Sequence, residues 1–149
     1  MWVFVRRFNL TDLVWRKLKT VKTPDPSGVV WTPALDYLVP KRMYRLQTKN
    51  TSQWTLDGAN AACNADGYDA GPPRNGNPLC SGSPFGALIA KIGGGTADSA
   101  GTIFAVGRYC VFQIVDDSKN GPLYLGANDI PGGMSKITGQ IEVEVEIAL

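Results

Sequence analysis

The stretch "GQIEVEVEIAL" (residues 139–149) decides the fold. Ile141, Val143, Val145 and Ile147 alternate with Glu142, Glu144 and Glu146. A period of two belongs to a strand with one face on a core and the other on solvent. The four aliphatic residues are therefore expected inside and the three glutamates outside. Paired carboxylates can cleave glycosides, but three on one polar strand face are explained by solvation. On a terminal strand they would also resist edge-to-edge pairing.

Short strand-like runs recur upstream. "FGALIAKIG" (85–93) reads as a buried central strand, with Leu88 or Ile89 in the core. "TIFAVG" (102–107), "YCVFQIVDD" (109–117) and "GPLYLGAND" (121–129) follow, separated by turns. "VVWTPALDYLV" (29–39) and "KRMYRLQTKNT" (41–51) are earlier β segments. In the second, Met43, Arg45 and Gln47 alternate with Tyr44 and Leu46. About eight short strands, with turns every ~8–12 residues, predict an all-β, antiparallel jelly-roll β-sandwich.

Between these runs, residues 57–83 are almost wholly Gly, Pro, Asn, Asp, Ala and Ser. So long a loop in a compact domain points to function or disorder. "GGGTADSAG" (93–101) reads as a flexible connection. It lacks the Gly-Lys-Ser/Thr ending of a phosphate loop, which excludes nucleotide binding there.

The 149 residues are 44% hydrophobic, enough for one domain with a real core. Histidine is absent, which removes Ser-His-Asp and Cys-His nucleophile systems and the commonest transition-metal ligand. The chain is accordingly read as non-enzymatic, with no catalytic residues. Any metal would need oxygen ligands, hence calcium or magnesium. Cys63, Cys80 and Cys110 cannot all pair within one chain and form no CxxC. They are read as buried thiols, with a Cys63–Cys80 bridge left open for an extracellular setting.

Charge divides the chain. Residues 1–50 hold ten Lys/Arg against three Asp/Glu (+7), and residues 51–149 hold five against ten (−5). A basic first third on an acidic body can steer onto an acidic partner, including another copy of itself. Residues 1–28 are read as a basic N-terminal arm and linker, ahead of a sandwich over 29–149. The arm is either extended or holds a short helix capped by Asp12 before "LVWRKLK" (13–19), and "TPDPSG" (23–28) forms the linker. Trp2, Phe4, Phe8 and Trp15 stand beside Arg6, Arg7 and Arg16, a composition favoured at interface hot spots. No recognition-helix or ribonucleoprotein signature accompanies the basic residues, so nucleic acid is not expected. "MWVFVRR" lacks the order of a signal peptide, and no apolar run reaches the ~18 residues of a membrane span.

"PFGALIAKIGGG" (84–95), followed by "GPLYLGANDIPGG" (121–133) and "TGQIEVEV" (138–145), resembles the bacterial LecA-like galactophilic lectin family. The resemblance spans roughly residues 39–147. It implies a small jelly-roll sandwich with a calcium ion at one end that coordinates galactose hydroxyls. It further implies ligands from the aspartate of the Asn128-Asp129 turn, from the loop after it, and from a backbone carbonyl near Asp57. Asp69 in the long loop would contact sugar; apart from the resemblance, a domain binding glycan by direct hydrogen bonds and aromatic stacking would use the long loop with Trp54 or Tyr68. The loop after the turn departs from the family. Lys136 and Ile137 occupy the positions of paired asparagines, and Gly133 that of a threonine. Neither side chain ligates calcium, and Lys136 is expected to place its charge beside Asp129. The expectation is thus no cofactor and no calcium, with Asp129 the sole candidate ligand.

Two function classes stand. One is a lectin-like structural or docking subunit of a larger assembly such as a bacteriophage virion (capsid decoration or tail component), partnered by itself or by neighbouring subunits. It would be located in the virion, or outside the cell after release. The alternative is a carbohydrate-binding lectin of galactose type, calcium-dependent or not, that recognises cell-surface glycan.

Overall fold

The computed structural model describes residues 13–26, 30–69, 75–95 and 97–149. Among the described residues, nine strands run in chain order. They are β1 (Trp15–Thr23), β2 (Thr32–Leu35), β3 (Met43–Thr48), β4 (Gln53–Thr55), β5 (Leu88–Ile92), β6 (Thr102–Ala105), β7 (Tyr109–Gln113), β8 (Leu123–Ala127) and β9 (Thr138–Ala148). All pairings are antiparallel. One sheet runs β1-β9-β3-β7 with β4 also on β9, and the other runs β2-β8-β5-β6. The two sheets make a β-sandwich around one apolar core. Among the described residues, no helix is long and apolar enough to cross a membrane.

β9 behaves as its alternation demands on one face. Ile141, Val143 and Val145 are fully buried and Ile147 nearly so. Each such side chain contributes about 1.5–3 kcal/mol on burial. β3 supplies Tyr44 and Leu46 to the same core, and β5 supplies Leu88 and Ile89. Leu88–Ile92 is central in its sheet, between β8 and β6.

The other face of β9 differs from expectation. β9 is an inner strand, flanked by β1 on one side and by β3 and β4 on the other. Glu142 and Glu144 are only partly exposed and Glu146 is buried. The cause is a set of cations on the flanking strands. Arg45 donates from Nε and Nη2 to the two carboxylate oxygens of Glu146, and Gln47 Nε2 adds a bond of 3.0 Å. The Arg45 guanidinium also lies 4.5 Å from the Trp15 ring centroid. Lys17 reaches Glu144 at 3.3 Å and Lys49 reaches Glu142 at 3.7 Å. These two exposed pairs contribute about 0–1 kcal/mol each; the buried, bidentate one matters more.

The expected arm is also revised. Trp15–Thr23 is an edge strand of the five-stranded sheet, not a helix, and its register sets Lys17 against Glu146 and Lys22 against Glu142. Its helical spacing of apolar residues loses to strand pairing with β9, since so short a helix has little stability of its own. Val21 and Thr23 are buried, so the sandwich begins well before residue 29. Of the proposed interface residues, Trp15 and Arg16 lie in this strand, while Trp2, Phe4, Arg6, Arg7 and Phe8 lie outside the described residues, as does Asp12. The three cysteines are free.

Arg45 hydrogen bonding holds the Glu146 carboxyl below the usual carboxylate range, against the opposing effect of burial. A depressed folded pKa means stability that is present above the unfolded value of about 4.3 and lost as pH falls through the folded one. Arg45→Ala strands a buried carboxylate and should cost about 3 kcal/mol at pH 7. Protonation of Glu146 relieves that cost, so the gap to the parent should narrow below about pH 4. Urea unfolding of both proteins at pH 7 and pH 3.5 checks this.

Candidate functional site

The end of the sandwich where β9 begins is covered by the long loop, and the fastening point is Asn128. β8 ends at Ala127 and delivers Asn128 and Asp129 into the interior, both fully buried. The Asn128 amide is wholly engaged. Oδ1 accepts from Cys80 N at 2.9 Å, and Nδ2 donates to the carbonyls of Cys80, Ser83 and Pro84 at 2.9–3.0 Å. Its backbone N–H donates to Ala87 O, and its carbonyl accepts from Gly86 N. One side chain thus fixes the course of residues 80–84.

Asp129 sits beside it. Oδ1 accepts from Ile130 N at 2.7 Å, and the Asp129 carbonyl accepts from Leu79 N at 2.9 Å. Gly133 packs on the carboxylate, so that a Cβ there would meet Asp129 Cγ at 2.6 Å. That contact is why glycine stands at 133: the carboxylate fills the space a side chain would take.

The aromatic candidates are built into the loop. Trp54 is 1% exposed and donates from Nε1 to Gly86 O at 2.8 Å. Its ring is therefore covered, contrary to the expected stacking role. Tyr68 is half-buried; its hydroxyl accepts from Leu56 N and donates to Ala61 O at 2.9 Å. Bridges Trp54–Cys63 and Asp66–Ala87 give the loop further backbone order.

Outside this packed layer lies an open polar groove of about 450 Å³ that includes Tyr68 and Asp69 among its walls. The sequence reading missed its other polar members, Gln53, Asn64, Asp66 and Arg108. Arg108 donates from N and Nε to the two Asp66 carboxylate oxygens at 3.0 and 2.6 Å, and Asn64 Oδ1 accepts from Asp66 N at 2.8 Å. The Asn-x-Asp spacing of an Asx turn was visible in the sequence. The partner 42 residues away, in the β6–β7 turn, was not. Asp57 is exposed and is not among the groove's walls.

The expected sugar residues therefore divide. Tyr68 and Asp69 share the groove, Asn128 and Asp129 lie in the packed layer, Trp54 is buried, and Asp57 stands apart. The calcium implied by the resemblance does not fit these residues. Calcium takes six to eight oxygens, whereas the Asn128 amide is used by the loop and Gly133 presses on the Asp129 carboxylate. Lys136 is exposed while Asp129 is fully buried. Burial pushes Cys110 up to about 11 and raises Cys63 as well, which disfavours the thiolate form a nucleophile needs.

The chain matches no protein-family model, and no curated protein matches it.

Asn128→Ala would leave several buried backbone groups of residues 80–84 without partners. At about 1–3 kcal/mol for each such group, a loss of at least ~3 kcal/mol is expected. Amide exchange at Cys80 should accelerate more than at Val143, as hydrogen-exchange NMR would show.

Proposed function

We propose that this chain is a non-enzymatic docking subunit that assembles with copies of itself, within a larger particle such as a virion. The observation that carries the reading is where exposed apolar surface collects. Val14, Tyr37, Val39, Val115 and Leu149 are 44–64% exposed, and they account for five of the seven exposed large hydrophobic side chains among the described residues. All five belong to the end where β1 begins and β9 finishes. Leu149 N donates to Val14 O, Val39 N donates to the Tyr44 hydroxyl, and Lys41 N donates to Ile114 O. At about 3.3 Å per residue, the run of β9 from Gln140, the partner of the groove's Gln53, to Ala148 sets this end roughly 25 Å from that wall.

Apolar side chains gathered at one end of a small domain mark an interaction surface. The segment ahead of Leu13, whose sequence carries Trp2, Phe4 and Phe8, joins the described chain here. Sedimentation of the full chain at rising concentration should show species heavier than the 16.0 kDa monomer. Val14→Asp with Leu149→Asp should abolish them with little change in melting temperature, because both sites are exposed. A parent chain that stays monomeric at every concentration contradicts the proposal.

A second reading rests on the groove. Its carboxylates, guanidinium and amides offer hydrogen-bonding partners to a saccharide, with Asp69 at its wall and Tyr68 presenting part of a ring. This makes the chain a glycan binder without calcium. Titration with galactose oligosaccharides should give binding that a chelator leaves unchanged and Asp69→Ala removes. Binding that needs calcium and is lost in Asp129→Ala would restore the calcium-lectin alternative.

A further inference from the structure

Lys91 is fully buried in the middle of β5. Strand alternation sets it opposite to Ala90 and Ile92, on the face it shares with its cross-strand neighbour Tyr124. A buried ammonium must be paired or solvated by the protein. Here Nζ donates to Gly95 O at 2.7 Å and Ala97 O at 2.6 Å. It lies 4.7 Å from the Trp31 ring centroid and 5.3 Å from that of Tyr124. Burial lowers its pKa, and the Asp98 carboxylate opposes that shift.

The "GGG" stretch is what brings the carbonyls in. Gly93, Gly94 and Gly95 have φ of +72°, +77° and +58°, a left-handed run that other residues resist. A Cβ on Gly94 would lie 2.3 Å from the Ala100 carbonyl carbon, so the neck closes only on hydrogen. Instead of a flexible connection, this loop folds back as a cup of carbonyls. It is held on its far side by Trp31 Nε1 donating to Asp98 O at 3.3 Å. Gly132 N in turn donates to Asp98 Oδ2 at 2.6 Å, which joins the cup to the loop after the Asp129 turn.

We infer that the Gly95 and Ala97 carbonyls and the rings of Trp31 and Tyr124 form a receptor for a primary ammonium group, filled from within by Lys91, and that its occupancy, relayed by Asp98, sets the loop after the Asp129 turn. Carbonyl oxygens and aromatic faces are the groups that favour a desolvated cation. The inference is independent of both functional readings.

The test is chemical rescue of Lys91→Ala in the full chain. The alanine keeps Cβ, so n-propylammonium replaces the missing atoms, with 1-propanol as the neutral control. Propylammonium should raise the variant's melting temperature saturably, by several degrees at concentrations well above its dissociation constant. Propanol should not, and the parent should respond to neither. If the variant does not fold alone, the same comparison is read as recovery of folded protein by far-UV circular dichroism. Equal effects of the two additives, or none from either, overturn the receptor. For the relay, Asp98→Ala should speed Gly132 amide exchange about tenfold while Val143 is unaffected. An unchanged Gly132 overturns it.

Discussion

The structure depends on one strand whose two faces need different partners. β9 carries an unbroken aliphatic row that can be buried only against the second sheet, and a carboxylate row that must then be neutralised where it stands. The basic first third of the chain meets that second need. Lys17 comes from β1, Arg45 from β3 and Lys49 from just beyond β3, so β9 is enclosed by cations on both sides. Much of the opposition between a +7 first third and a −5 remainder is thus placed within the fold, in register, and less of it is left to steer a partner.

That enclosure has consequences for the ends of the sandwich. β4 joins β9 at Gln140, beside the groove, while β1 meets it at Ala148, beside the exposed apolar rim. The long loop is held against the first end by Asn128, a single amide whose hydrogen-bonding capacity is fully used. The strand after which Asn128 stands is paired to β5, whose buried Lys91 organises the adjoining glycine loop. Fixed polar structure therefore collects at one end and uncommitted apolar surface at the other. The docking proposal rests on this division, which also leaves the polar groove open.

Periodicity made the sandwich legible. Val143 and Val145 inside, Leu88 and Ile89 in a central strand, and Tyr44 and Leu46 alternating with Arg45 all follow from period-two patterning. What escaped was long-range. Nothing local in "WRKLKTVKT" says that it will lie on a strand about 120–130 residues away, and its own spacing fits a short helix as well as an extended arm. The same limit hid Glu146, whose burial depends on Arg45, and Arg108, which meets Asp66 from across the fold. Trp54 was misassigned because a tryptophan beside a polar loop looks equally like a stacking platform and a core residue until the loop closes over it. Lys91 gave no signal at all, since a lysine inside an apolar run declares neither its burial nor its acceptors.

Removal of β1 tests the account most directly. A chain lacking residues 1–22 would lose the pairing partners of Val143, Glu144, Val145 and Ile147, leaving β9 an edge strand unpaired on that side from Glu142 onward. Circular dichroism and thermal unfolding of this truncated chain should show loss of the cooperative fold. A cooperatively folding monomer with near-parent stability would mean that the basic segment is an appendage and that the remaining strands need no such enclosure.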